Sequence, residues 1–515
     1  MPINNKKLVY ISLLTIAILY ILWSAYFINN TSTIISGKRY FMLFDDAMIS
    51  MRYAWNFAHG NGLVWNKGEY IEGYTNLLLV LIMSIPNLIL SKPHASLFIQ
   101  ILGVFFCLGT AYLSYLITKD FLKTEGIFPL LSFLGVLLYY PFSFWSLMGM
   151  ETGLLTFLLF LSICRFLTTR ENDNIDYLFL LLILLAFLTR MDSIIMTFPL
   201  VFFRFIEKRA KKRFLIEAGF IFLIVILKLI LSKLYYNAWF PNTYTLKVRG
   251  HPPLELYKNG LLFVIPFLKS IFLLLPFAFL GMVYKFDRNK LYLFILFLMT
   301  VIYQIWTGGE PWNYWRIMTP AIPLLSILFI VLLSNIAEKI KKWKIAVYLL
   351  EFFAFIIVFF IANQKFIPEM IFQKIPFTVN SNFILLNEAL AVDKITKPSA
   401  TLAVTFAGII PYFTDRSCHD MLGKTDRYIA GLPPRLKDSV AWHGMNFVPG
   451  HNKYDLHYSI LEKRPTYVQS FISGKDNITI EASEIYDLVN YDGIELRLKR
   501  GSDDIYWNKI RNATR

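Results

Sequence analysis

LVYISLLTIAILYILWSAYFI, residues 8 to 28, is an uncharged run of 21 residues. A helix needs about twenty apolar residues to cross the hydrocarbon core of a bilayer. Comparable runs recur as far as Ile361, so the reading of this stretch sets the reading of the chain: a polytopic α-helical membrane protein. Composition agrees. Of 515 residues, 56% are hydrophobic and only 17% charged, with a mean hydropathy of +0.51. Soluble domains carry about 25% charge. A soluble enzyme, a disordered chain and a fibrous protein are thereby excluded.

The net charge of +16 sorts by position. Residues 363–515 hold 19 basic and 17 acidic residues and are nearly neutral; the first part carries +14. Of that, +12 lies in four short places: Lys6 with Lys7, then 204–213, 285–290 and 338–344. Basic residues in short loops mark the cytoplasmic side. A nucleic-acid surface is excluded because hydrophobic spans separate the patches. Threading spans through these anchors gives about 11 transmembrane helices, with the N-terminus cytoplasmic and the C-terminal domain periplasmic. The expected spans are 8–28, 96–118, 127–147, 150–168, two short helices within 177–203, 214–234, 259–284, 291–306, 317–335 and 345–363. The two short helices form a hairpin that keeps Arg190 and Asp192 out of mid-bilayer, where each would be costly. Residues 76–90, interrupted by Pro86, read as a partly inserted helix. The first span is too long for the apolar core of a signal peptide. Domain boundaries follow: a transmembrane domain over 1–363, with a first outer loop at about 29–76, and a soluble domain over 364–515.

Polar residues concentrate in that loop, YFMLFDDAMISMRYAWNFAHGNGLVWNKGEYIEGYTN, residues 40–76. Asp45 and Asp46 stand where an apolar run ends. Met48, Met51, Trp55 and Ala58 have helical spacing, so 47–58 can lie flat on the membrane with an acidic start. A carboxylate at an apolar boundary has its pKa raised by desolvation, which suits it as a base for a sugar hydroxyl. A second can orient that hydroxyl or hold a cation. Arg52, on the same helical face, pairs with one of them or meets a phosphate, and Glu72 belongs to the same stretch.

Four further segments fall on the same expected side of the membrane: Glu151; Arg190 with Asp192; Asn242, Tyr244 and Lys247; and Glu310 with Arg316, behind the close-approaching pair Gly308 and Gly309. Singly, each reads as an interfacial residue. Together they offer acids for hydroxyl activation, cations for a phosphate, and aromatics for sugar faces.

The stretch 45–76 resembles the first outer loop of polytopic GT-C glycosyltransferases, nearest to the terminal β-(1→2) arabinofuranosyltransferases and their broad bacterial relatives. Matching motifs follow in order: GMETGL (149–154), LTRMDS (188–193), WFPNTYTLKV (239–248), TGGEPWNYWRIMTPAIPLL (307–325), and, in the soluble domain, residues 407–431 and PGHNKYD (449–455). The resemblance implies a bacterial inner-membrane transferase that takes a sugar, such as a pentofuranose, from a polyprenyl-phosphate donor. The acceptor would be a cell-envelope glycan, lipid or protein. Asp45 or Asp46 is then the base, with Arg52, Arg190, Asp192, Lys247 and Arg316 holding donor phosphate or sugar; a divalent metal is left open. Two motifs depart from the relatives: Glu310 follows Gly308-Gly309 where they commonly have Asp, and Arg190-Met191-Asp192-Ser193 replaces Arg-Pro-Asp-Gly. A transporter or flippase of lipid-linked glycans is the alternative; it would call for internal repeats, which the sequence lacks. A membrane-anchored glycan-binding protein is a third reading.

The soluble domain reads as mixed α/β. LLNEALAVDKI is expected helical, TLAVTFAG a buried strand ending in a turn, and YDGIELRLKR an edge strand by its alternation. The segment 408–426 either turns at Gly408 or dips towards the membrane site. His443, Gly450, His451 and Lys453 form a polar loop, with His451 a candidate for acceptor binding. The three cysteines show no metal-ligand spacing with histidine.

Overall fold

A computed structural model describes residues 6–207, 211–312, 314–340, 344–436 and 444–513. His443 lies outside the described residues. Among those described, seven helices are long and apolar enough to span a membrane, or nine if each of two bent pairs is one span. α1 (Lys6–Asn30) leads through the hairpin β1 (Thr33–Ile35) and β2 (Lys38–Tyr40) into α2 (Asp45–Ala58) and α3 (Leu77–Ile89). Then come α4 (Lys92–Leu116), the bent pair α5 (Phe128–Leu138) and α6 (Tyr140–Leu147), and α7 (Thr152–Thr169). α8 (Tyr177–Thr189) and α9 (Ile194–Glu207) form the expected short hairpin, with Arg190 and Asp192 at its tip. α10 (Lys211–Tyr236) is apolar on nearly all sides and only 6% buried, so it is built to face lipid.

Two expected spans are corrected. Residues 127–147 bend by 56° at Tyr139. Residues 259–284 are broken at 271–273. After α11 (Asn242–Lys247), α12 (Pro253–Ser270) turns by 82° into the ten-residue α13 (Leu274–Val283). α12 lies along the C-terminal end of α14 (Arg288–Thr307): Gly260 packs on the carbonyls of Gln304 and Ile305, and Phe267 meets the ring of Trp315 at 5.7 Å. Hydropathy could not show this, because a helix buried by protein is as apolar as one buried by lipid. The expected count of about 11 is reached only if both halves of the α8–α9 hairpin also cross. α15 (Ile322–Lys339) is almost wholly buried, and α16 (Lys344–Asn363) closes the bundle.

The basic loops gather at one end: Lys285 pairs with Glu338 at 2.6 Å and Arg288 with Glu207 at 3.5 Å. α14 starts there and runs 20 residues, about 30 Å, before its other end meets the soluble domain.

The short α17 (Ile367–Met370) leads to α18 (Val379–Ile395), as expected helical. A mixed five-stranded sheet follows in the order β4-β3-β5-β9-β8, with β3 (Thr401–Val404), β4 (Ser417–Asp420), β5 (Tyr467–Val468), β8 (Tyr486–Tyr491) and β9 (Ile494–Lys499); β6 (Ile472–Ser473) and β7 (Asp476–Asn477) make a separate hairpin. β3 is central and parallel to β4 and β5. β9 is not the expected edge: it pairs with both β5 and β8, and β8 is the edge. Its alternation reports two unlike faces, with Leu496 and Leu498 buried.

α2 is the second correction of consequence. Its apolar face is covered by protein, where a lipid contact was expected. Ala47, Met48, Met51, Tyr53 and Ala54 are all buried between α3 and α19 (Ile409–Thr414) of the soluble domain. Gly408, just before α19, sits directly on the carbonyl of Asp45, leaving no room for a side chain. Gly408→Ala should therefore push the soluble domain off α2 and destabilise the protein by about 1–3 kcal/mol, the usual cost of overpacking. A lowered melting temperature of purified protein checks it.

Candidate active site

The polar segments singled out in the sequence converge. A cavity of about 360 Å³ lies where α2, α11, α14 and the hairpin tip meet the soluble domain. Asp46, Glu151, Arg190, Asp192, Tyr244, Lys247, Glu310 and Arg316 all line it. Local structure explains each placement. Asp46 is in the first turn of α2, whose apolar side is locked in the core. Glu151 immediately precedes α7, and Lys247 ends α11. Gly308 and Gly309 both have φ near +80°, a left-handed turn that carries the chain sharply off α14 and places Glu310 in the cavity wall.

The charges are paired in sequence around the wall. Arg190 binds Asp192 with both Nε (2.8 Å) and Nη2 (2.7 Å) and donates to Glu151. Tyr303 Oη donates to Asp192 at 2.5 Å, and Asn76 Nδ2 to Glu151 at 3.4 Å. Arg316 Nε binds Glu310 at 3.2 Å, with its Nη1 3.9 Å from Asp46. Asp46 is paired with Lys424 of the soluble domain and accepts Trp312 Nε1 at 3.1 Å. Lys247 differs: among the described residues its ammonium has no hydrogen bond or ion pair. Burial pushes its pKa down to about 8, and Arg316 and Lys424 add repulsion. Asp46 and Glu310 offset part of that cost through space, without a direct contact. The remaining wall is apolar and aromatic, and reaches the surface at the half-exposed Trp306, Phe240 and Tyr244.

The two adjacent aspartates separate. Asp45 turns out of the cavity, and its Oδ1 accepts the Ile409 backbone N–H at 2.8 Å. Burial raises its carboxyl to about 7 despite that bond, with Asp46 adding repulsion. Asp46 feels the same burial, but the attraction of Lys424 and Arg316 outweighs it and holds the carboxyl well below the usual range. The desolvated, raised carboxylate expected of a base is thus the one that faces away.

Four other expected residues lie outside the cavity. Arg52 is buried in the domain interface, bound to Asp415 and to the carbonyls of Trp65 and Arg416 at 3.1 Å each, so it meets no donor phosphate. Its helical face is right, but the soluble domain covers that face. Glu72 pairs with Lys228 of α10 at 2.5 Å. Asn242 Nδ2 holds the carbonyls of Gly423 (2.9 Å), Lys424 (3.2 Å) and Asp426 (3.0 Å), which makes it a clamp for the Lys424 loop. His451 is buried behind Trp312, with ring centroids 5.8 Å apart, and burial with the nearby Lys424 pushes its pKa down to about 4.

Sequence reasoning missed Lys424, Trp312, Tyr303 and Asn76 as site residues. Of the two readings of segment 408–426, the structure has it reach the site, where Lys424 lines the cavity. Among the described residues no group of three His, Cys, Asp or Glu side chains is placed to hold a metal ion.

A family model described as a domain of unknown function (DUF8728) matches residues 384–506. No curated protein matches in sequence. Among solved structures, the chain is similar to ArnT from Cupriavidus metallidurans bound to undecaprenyl phosphate, with 10% identity over 79% of this chain and 85% of that one and a TM-score of 0.52. The same protein in its apo state gives 12% identity, coverage of 78% and 85%, and a TM-score of 0.49. The Archaeoglobus fulgidus oligosaccharyltransferase in complex with zinc and sulfate gives 12% identity, coverage of 78% and 62%, and a TM-score of 0.46. At such identity the first likeness establishes the fold: a GT-C helical membrane domain with a sheet-containing C-terminal domain.

The raised Asp45 carboxyl has a consequence for stability. The native state keeps a proton that the unfolded chain releases near pH ~4. Asp45 therefore costs stability as pH rises from there through its folded value of about 7. Asp45→Asn keeps the acceptor for Ile409 and removes the titration. Its melting temperature should match or exceed wild type at pH 8, and the advantage should vanish at pH 5.

Proposed function

We propose that the protein is a GT-C membrane glycosyltransferase that moves a sugar from a polyprenyl-phosphate donor to a hydroxyl of a cell-envelope glycan, lipid or protein. The observation that carries this reading is that Lys247, among the described residues, has no hydrogen bond or ion pair while every other charged residue lining the cavity is paired, in a cavity that also holds Asp46 and has an aromatic mouth. A phosphate satisfies the cation, and an isoprenyl tail can leave past Trp306 and Phe240. That ArnT has been seen with undecaprenyl phosphate supports a donor of this class. The sequence resemblance adds a pentofuranose, such as arabinofuranose, as the sugar class.

In the reaction, the acceptor oxygen forms a bond to the anomeric carbon. The bond from that carbon to the phosphate oxygen breaks, and its electron pair leaves with the phosphate. The hydroxyl proton passes to the Asp46 carboxylate. Asp46 stays ionised at neutral pH because Lys424 and Arg316 hold its pKa low, so it carries no proton before the reaction. That suits a transition state with oxocarbenium character, in which the hydroxyl becomes acidic late and positioning supplies much of the rate. Arg316 and Lys247 stabilise the charge that builds on the phosphate. Residues 1–363 form the transmembrane domain and 364–515 a soluble domain that completes the site. The basic loops at the opposite end of the bundle support a cytoplasmic N-terminus and a periplasmic soluble domain.

The test is release of polyprenyl phosphate by protein in lipid nanodiscs, with a panel of polyprenyl-phosphate pentofuranoses and hexoses plus acceptor. Asp46→Asn should keep donor binding and lower transfer by at least ~100-fold, the usual share of a general base. Lys247→Met should weaken donor binding about 10- to 100-fold, the worth of one charge-assisted hydrogen bond. Undiminished transfer by Asp46→Asn overturns the reading, and lipid translocation without sugar transfer would make the protein a transporter.

A further inference from the structure

We propose that Lys424 is a positioning residue that responds to the donor: paired with Asp46 in the structure, it transfers its ion pair to the donor's phosphate and so frees Asp46 to receive the acceptor's proton. This rests on the proposed glycosyltransferase reading and adds to it a role for the soluble domain.

In the structure both carboxylate oxygens of Asp46 are engaged, Oδ1 by Lys424 and Oδ2 by Trp312, with Arg316 at 3.9 Å. Lys424 takes up one lone pair of Oδ1 and lowers the carboxylate's affinity for a proton. The backbone that carries Lys424 is fixed. Asp420 accepts the N–H groups of Leu422 (3.0 Å), Gly423 (3.2 Å) and Thr425 (2.9 Å), and Asn242 clamps the carbonyls on the other side. Beyond that fixed point the lysine side chain is a flexible four-carbon stem ending in a point charge. Asp46 is its one ion-pair partner among the described residues.

Charge accounting gives Lys424 somewhere to go. Arg190 is held by two acids and Arg316 by Glu310, which leaves Lys247 as the one uncommitted cation among the described lining residues. A donor phosphodiester carries one negative charge, which Lys247 meets. The departing phosphate monoester carries nearly two at neutral pH, since such a phosphate has a second pKa near ~6. The second charge calls for a second cation in the same cavity, and Lys424 is the one held by a single carboxylate. α11 sets both, because Asn242 at its start clamps the Lys424 loop and Lys247 stands at its end. The same ammonium thus covers the base when no donor is present and the leaving group when the reaction proceeds.

Competition between Asp46 and phosphate for one lysine has a reciprocal signature in binding. The probe is polyprenyl phosphate itself, the monoester product, titrated into full-length protein in nanodiscs. Asp46→Asn releases Lys424 and should bind the probe about three- to tenfold more tightly than wild type, within the range of coupling seen for close charge pairs. The gain should disappear in the Asp46→Asn, Lys424→Met double variant. Lys424→Met alone should bind about tenfold more weakly, and Lys424→Arg should retain most of the affinity. Equal or weaker binding by Asp46→Asn, or wild-type affinity in Lys424→Met, overturns the proposal. If Asp46→Asn does not yield folded protein, judged by its melting curve, the comparison of Lys424→Met with Lys424→Arg decides. Wild type that fails to bind polyprenyl phosphate at all instead removes the glycosyltransferase reading beneath it.

Discussion

Four carboxylates and four cations share one small cavity at the end of a helical bundle, and a buried charge is tolerated only when another charge or a set of dipoles answers it. Around that wall Arg190 answers Glu151 and Asp192, Arg316 answers Glu310, and Lys424 answers Asp46. Arg190–Asp192 and Arg316–Glu310 are local pairs, whereas Arg190–Glu151 and Lys424–Asp46 join segments distant in the chain, so the network holds the site's geometry as well as its charge. Lys247 is the one cation of the wall without a hydrogen bond or ion pair among the described residues.

The same requirement explains how the soluble domain sits. α2 presents Asp45, Asp46 and Arg52 within two turns, and none of them can be left in an apolar environment. The C-terminal domain supplies the Ile409 N–H for Asp45, Lys424 for Asp46, and Asp415 with the Arg416 carbonyl for Arg52. Trp65 donates to the Ala407 carbonyl at 3.2 Å and Asn66 to that of Cys418 at 2.7 Å, so the rest of the first loop is bound in the same way. Membrane bundle and soluble domain therefore build the site jointly.

Much of this was legible in the chain, for physical reasons. Hydrophobic runs and basic loops follow from the bilayer, which acts on each segment locally, so most helices and the α8–α9 hairpin fall where composition places them. Glu151, Arg190, Asp192, Lys247, Glu310 and Arg316 stand out because a charge beside an apolar run has few reasons to exist. The failures share a cause. α2 has the periodicity of a surface helix, α12 the apolarity of a span and β9 the alternation of an edge, yet in each case the pattern says only that one face is buried. It is silent on what buries it. Arg52, on the expected face, meets protein where a phosphate was expected.

The sequence by itself determined the class of protein, the approximate places of its long apolar helices, and the set of charges that had to be brought together, because solvation energy is paid residue by residue. Only the tertiary structure decided which of two adjacent aspartates faces the cavity and which cation covers it. Lys424 lies 378 residues from Asp46, in a loop whose composition marks it as ordinary surface. What brings it in is the clamp of Asn242 and Asp420 on its backbone and the close seat of Gly408 on α2, contacts that arise only when two domains pack and that leave no local trace in the chain.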